Sequence, residues 1–223
     1  MTTLNKEDAR QEPNALGHLT PVALWIGGIC IVVDLVRQAA DLGLIGSSRW
    51  RSLAYQNGAV WPGLLRGWQA NYSAQPALMF VTYAFLHGGF WHLAGNMLAL
   101  VLLGRIASNY VGQKAFVLIY GMSALGGAVA FGVMAQGAQP MVGASGALFG
   151  LVGAWQYWDY ADPRCRRRRI WCLARVIGIL AALNLVPLLV FDGAFAWQTH
   201  LGGILTGWAT ARLLRRRHAA CRI

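Results

Sequence analysis

Charge is what this sequence has least of. Only 12% of its 223 residues are Asp, Glu, Lys or Arg, against 57% that are hydrophobic, too few to solvate an ordinary soluble domain of this size. Residues 79–104 carry no charged side chain, and neither do residues 115–158. Each run exceeds the roughly 20 residues that a spanning helix needs, so lipid is the expected solvent. The four cysteines, Cys30, Cys165, Cys172 and Cys221, form no close-set pattern, which argues against a disulfide framework and against a zinc site. The first 20 residues lack the basic start, apolar run and small-residue cleavage site of a removable signal peptide, leaving the first span as the expected insertion signal. Repeats are absent, and the only low-complexity tract is a run of arginines at 166–169.

What is present reads as a polytopic all-α membrane protein. The uncharged run 115–158 is long enough for two helices, and Gln136-Gly137-Ala138-Gln139-Pro140 is the turn-forming interruption that divides it. Adding apolar segments at 21–40, 79–104, 170–191 and 197–211 gives six expected spans in one bundle. The expected organisation is a cytoplasmic segment 1–20, a membrane domain 21–211 and a basic cytoplasmic tail 212–223. The loop at 43–77 is long and carries Trp50, Tyr55, Trp61, Trp68 and Tyr72, a density of aromatics suited to the headgroup region on the outer side.

A formal charge of +11 would suggest nucleic acid if the basic residues lined a soluble face. Instead they sit at the ends of apolar segments: Arg164 and Arg166 to Arg169 between spans four and five, Arg212, Arg215 to Arg217 and Arg222 after span six, Arg105 and Lys114 about the link between spans two and three. This bias puts both termini in the cytoplasm, and the clusters read as topology signals and anionic-lipid contacts, with no nucleic-acid partner.

Polar side chains inside a span are costly and need a partner, a wet cavity or a function. His87, His92 and Asn96 are expected at the outer start of span two, Ser145 at the outer start of span four and His200 near the outer start of span six, all in one half of the bundle. On a helix His92 and Asn96 share a face and can aim two donors at one spot; taken alone the pair reads first as polar glue between helices, and its meaning depends on what it faces. Ser145, in Gly143-Ala144-Ser145-Gly146, opens an apolar helix where unpaired N–H groups favour developing negative charge; a plain N-cap serine explains the same residue. Position 147 is Ala, so the Gly-x-Ser-x-Gly elbow of soluble hydrolases is absent. Gly146 with Gly150, and Gly203 with Gly207, are small-xxx-small pairs that let helix backbones approach. Packed through these faces, spans four and six would bring Ser145 Oγ to a His200 ring nitrogen, with Phe149 against the ring. With no carboxylate placed to be a third member, the arrangement is a dyad.

The series His87-x4-His92-x3-Asn96, then Gly143-Ala144-Ser145-Gly146, then His200-Leu201-Gly202-Gly203 resembles the rhomboid family of intramembrane serine proteases, over roughly residues 78–210. The resemblance implies Ser145 as nucleophile, His200 as general base and then acid, and His92, Asn96 and the Ser145 N–H as the oxyanion hole. It further implies that His87 anchors the first outer loop, that span five is the lateral gate, and that the substrates are membrane-anchored proteins, with no cofactor or metal. A bacterial inner membrane is the expected location. Where many members carry Trp-Arg this chain has Leu78-Met79, and Phe149 replaces a frequent Tyr. The competing reading from the family is a non-proteolytic membrane-protein binder or quality-control factor. A transporter lacks support because no internal symmetry is visible, and a metal or haem site on His87, His92 and His200 is short of ligands.

The topology is open to direct test: reporter fusions within 166–169 are expected to read cytoplasmic, and a periplasmic signal there would invert the placement of Ser145 and His200.

Overall fold

The computed structural model describes residues 20–161 and 196–214. Seven α-helices run through them: α1 (Pro21–Asp41), α2 (Trp50–Gly58), α3 (Gln75–Thr82), α4 (Phe90–Val111), α5 (Gln113–Met134), α6 (Ser145–Ala161) and α7 (Trp197–Leu213). Short 3-10 turns occupy Pro62–Leu65 and Tyr83–Phe85. Among the described residues the only extended pairing is an isolated antiparallel bridge between Val60 and Met141. The regular structure of the described residues is therefore helical, as the composition leads one to expect.

Among the described residues three helices, α1, α4 and α5, are long and apolar enough to cross a membrane. They leave large apolar side chains exposed, including Trp25, Val32 and Leu35 on α1, Leu98 and Leu102 on α4, and Val129 and Val133 on α5. In water such a surface would be an aggregation liability; in a bilayer it is the surface that faces lipid. Helices α6 and α7 have 17 residues each and match the fourth and sixth expected spans. The fifth, at 170–191, lies outside the described residues, as do the arginine run and the segments 1–19 and 215–223.

Two expectations are corrected. The uncharged run 79–104 is not one span: α3 ends at Thr82, the chain turns through Tyr83–Phe85, and the spanning helix α4 starts at Phe90. His87 accordingly lies in the loop before α4, not on the helix. Two adjacent glycines, Gly88 and Gly89, are the local reason, since they weaken a helix that hydrophobicity alone would extend. Arg105 likewise falls within α4 and not at the link. The link itself is Gly112 alone, with φ +80°, a left-handed conformation that lets α4 and α5 reverse in one residue.

The loop between α1 and α4 is well structured. Arg66 donates from its guanidinium to the carbonyls of Val133 at 3.1 Å and Ala135 at 2.8 Å, satisfying orphan acceptors at the C-terminus of α5 and complementing its dipole. Gln75 donates to the Gln56 carbonyl at 2.6 Å, Tyr72 to that of Asn57 at 2.8 Å and Thr82 to that of Gly58 at 2.7 Å. Trp61 turns inward and donates to the Tyr55 carbonyl at 2.8 Å, while Trp50, Trp68 and Tyr72 are exposed. Met79 is buried in a core with Val60, Tyr83, Phe131 and Met141, and Leu78 faces outward; the loop is tied down by other residues than this pair.

The centre of the bundle is α6, packed against both α5 and α7, which also touch each other, with its residues from Gly146 to Ala154 all buried. Glycine makes the contact possible. A Cβ on Gly203 would overlap the carbonyl oxygen of Gly146, and one on Gly207 would overlap that of Gly150; a Cβ on Gly150 would lie 3.0 Å from the Gly203 carbonyl. The helices touch backbone to backbone through both small-residue pairs seen in the sequence. Because Gly207 lies two turns from His200, Gly207→Ala is expected to lower stability by about 2 kcal/mol through forced separation of α6 and α7, read as a fall in the thermal midpoint in detergent.

Candidate active site

Ser145 is the first residue of α6. The first ladder bond of that helix runs from the Leu148 N–H to the Ala144 carbonyl, at 3.2 Å, so the N–H groups of residues 145–147 belong to the turn that a helix leaves without internal partners. Ahead of it the chain is fixed by backbone pairing. Val60 and Met141 exchange two hydrogen bonds of 3.0 Å, and the Gly143 N–H donates to the Tyr83 carbonyl at 3.0 Å. Tyr83 is fully buried and donates its hydroxyl to the Ala124 carbonyl at 2.7 Å, which carries the restraint into α5. Gly143 itself has φ +123°, a conformation that side chains rarely adopt.

His200, in the first turn of α7, approaches from the other side. Its Nε2 lies 3.0 Å from Ser145 Oγ, the distance a nucleophile and base need. The imidazole stacks on Phe149 with centroids 3.9 Å apart and planes 25° from parallel, so the ring's tilt is set by packing one turn along α6 from Ser145. Thr199 next to it donates to the Gly127 carbonyl at 3.2 Å, and fixes the start of α7 on α5.

His92 completes the cluster. A Cβ on Gly143 would stand 2.8 Å from both Cε1 and Nε2 of His92 and 3.9 Å from Ser145 Oγ, so the Nε2 edge of the ring faces the serine loop and glycine leaves it room. Its Nδ1 accepts the Gly88 N–H at 3.1 Å. A neutral imidazole with an accepting Nδ1 carries its proton on Nε2; His92 thus presents an N–H toward the serine loop. One turn on, the buried Asn96 donates its amide to the His92 carbonyl at 2.8 Å, and its second amide proton remains for another acceptor.

His87 is buried and meets His92 edge to face, with centroids 5.4 Å apart. In the loop ahead of α4, burial lowers its pKa to about 3, with the neighbouring His92 adding to the effect, so the ring is neutral at physiological pH. Its carbonyl accepts from Tyr55 at 2.7 Å and from Arg37 at 3.0 Å. Arg37 is paired with Asp34 in α1, and both are buried. These three anchors were missed in the sequence, although an Asp and an Arg three apart inside an apolar span were a visible signal. Among the described residues no three of His, Cys, Asp and Glu converge as metal ligands.

The structure therefore brings Ser145, His200, Phe149, Gly143 and His92 to one place, with Asn96 one turn behind. Gly146, Gly150, Gly203 and Gly207 set the approach of the two helices that carry Ser145 and His200. The expected gate, span five, lies outside the described residues.

Known proteins resemble this chain in sequence. The chain is 31% identical over 150 residues to "Rhomboid protein 1, mitochondrial" of Saccharomyces cerevisiae, covering 60% of this chain and 42% of that protein. To "Rhomboid protease GluP" of Bacillus subtilis it is 30% identical over 141 residues, 60% of this chain and 25% of the relative. "Rhomboid-type serine protease 2" of Emericella nidulans matches at 30% over 145 residues, 64% and 28% of the two chains. The chain spans less than half the length of each of these relatives. The Rhomboid domain family model matches residues 75–217, from α3 past the end of α7 and across every residue of the cluster: the chain is an integral membrane protein of the rhomboid family.

Proposed function

We propose that the protein is a serine endopeptidase that cleaves membrane-anchored proteins within or near their spanning helix through a Ser145–His200 dyad. The observation that carries this reading is the 3.0 Å approach of Ser145 Oγ to His200 Nε2 across two helices, with the ring held by Phe149. A plain helix cap would not require a histidine at that distance. The relatives named as proteases support the same chemistry.

In the proposed reaction His200 Nε2 takes the Ser145 hydroxyl proton as Oγ attacks the scissile carbonyl carbon. The negative charge that develops on the carbonyl oxygen is received by the His92 Nε2–H, an Asn96 amide proton and the Ser145 backbone N–H. The imidazolium then protonates the leaving amine, the C–N bond breaks, and an acyl-enzyme remains on Ser145. Water, deprotonated by His200, hydrolyses the ester and restores the hydroxyl. Burial of His200 and Asn96 strengthens each of these interactions by excluding bulk solvent, while the exposed position of His92 leaves the site reachable from outside.

On this reading the substrates are helices that unwind readily and carry a small residue before the cut, entering past residues 170–191, and the basic clusters contact anionic lipid. The matches include a Bacillus protein and a mitochondrial yeast protein, so the proposal of a bacterial inner membrane rests on the compact plan alone. Cleavage of a single-span substrate in proteoliposomes is expected to fall by at least about 10³-fold in Ser145→Ala and in His200→Ala at unchanged folded amount. Cleavage surviving Ser145→Ala would refute the mechanism, and a wild type that cleaves none of several helices would favour the non-proteolytic reading.

A further inference from the structure

The His87–Gly88 peptide group joins two sets of contacts that lie on opposite sides of it. Its oxygen accepts the Tyr55 hydroxyl at 2.7 Å, the Arg37 guanidinium at 3.0 Å and, more distantly, the Arg51 guanidinium at 3.4 Å. Its N–H, on the other edge of the same plane, donates to His92 Nδ1 at 3.1 Å. A peptide group is rigid and planar, so donors that fix the oxygen also fix the direction of the N–H. Donors on the oxygen also polarise the group, and hydrogen bonds linked in this way strengthen one another.

We infer that Tyr55 and Arg37 are positioning residues, acting through the His87–Gly88 peptide to hold His92 in the tautomer whose Nε2 carries the proton. The inference rests on the oxyanion role proposed for His92. With the Gly88 N–H aimed at Nδ1, the ring's one proton must sit on Nε2, the edge facing Gly143 and the serine loop. Without that aim the two tautomers compete, and one of them turns a lone pair toward the oxyanion.

The construction of α1 fits this role. Arg37 is kept in place by Asp34, whose carboxylate is fully buried and also accepts from Gln38 at 2.5 Å. A buried ion pair costs desolvation that apolar residues would avoid, and α1 is otherwise an apolar spanning helix. The pair contributes what an apolar replacement could not: a charged donor, held rigidly, at one carbonyl 50 residues along the chain. Tyr55 supports it twice, through its hydroxyl on the same oxygen and through its ring, which lies 5.4 Å below the Arg37 guanidinium. Arg51 is bound to Asp41 at 2.6 Å, and its longer contact makes it the weaker contributor.

Tyr55→Phe is the discriminating variant because it keeps the ring under Arg37 and removes only the hydroxyl. Cleavage kinetics would be measured for wild type, Tyr55→Phe, His92→Ala and the double variant, alongside histidine ¹⁵N NMR of the first two, with the His92 signals assigned by their loss in His92→Ala. The expected result is a fall in kcat of about tenfold in Tyr55→Phe with KM unchanged, no further fall when His92 is already Ala, and His92 moving from a protonated Nε2 to a mixture of tautomers. An equal fall in the His92→Ala background, or an unchanged His92 tautomer, would overturn the inference and leave Tyr55 a structural residue. If His92→Ala cleaves like wild type, the oxyanion reading fails first, and the NMR signature alone then decides whether the peptide relay exists.

Discussion

The distance between two helix backbones governs this structure. Ser145 and His200 sit on separate helices, α6 and α7, and the 3.0 Å between Oγ and Nε2 is set by how closely and in what register those two helices pack. The gap closes because Gly146, Gly150, Gly203 and Gly207 remove the side chains that would stand between the axes, so that carbonyl oxygens of one helix rest against α-carbons of the other. The lipid supplies no hydrophobic force to press helices together, and close van der Waals contact between small residues takes its place. The Ser145–His200 distance is a consequence of that packing, and Phe149 converts the same packing into a ring orientation.

A second constraint acts on the segments that are not helical. Irregular backbone at membrane depth must be satisfied by protein, and among the described residues the segments around Ser145 are tied to one another. The Val60–Met141 bridge joins the first outer loop to the strand-like approach to Ser145, Gly143 is tied to Tyr83, and Arg66 closes the end of α5. The loops around the serine are therefore held as firmly as the helices. Fixed donors of this kind are what stabilisation of a developing charge requires, because a mobile donor would have to be reorganised at the moment of reaction.

Much of this was legible in the residues. The uncharged runs announced helices in lipid, the break at Gln136 to Pro140 fell where α5 gives way to the loop before α6, and the two glycine pairs marked the faces through which α6 and α7 meet. The start of α4 was not legible, because no charge interrupts 79–104 and only Gly88-Gly89 hinted that the helix begins at Phe90. The tertiary hydrogen bonds were not legible at all. Arg66 reaching carbonyls 66 to 69 positions away leaves no periodic trace, since a backbone acceptor can belong to any residue type.

That last point bears on why the motifs at the site are so short. Most of the groups that locate Ser145, His200 and His92 are peptide N–H and C=O groups: Gly143 to Tyr83, Thr199 to Gly127, Gly88 to His92, the His87 carbonyl to Tyr55 and Arg37. A peptide group accepts or donates whatever side chain it bears, so the hydrogen bond itself leaves no mark on residue type, although at Gly143 and Gly127 lack of room for a Cβ does. What the sequence can show is limited to side chains such as Ser145, His200 and His92, the glycines that make room, and a small number of donors that reach across the fold. The first outer loop shows the same division: Leu78 is exposed and Met79 packs in an apolar core, while Arg66, Tyr72, Gln75 and Thr82 hold the loop by donating to backbone carbonyls.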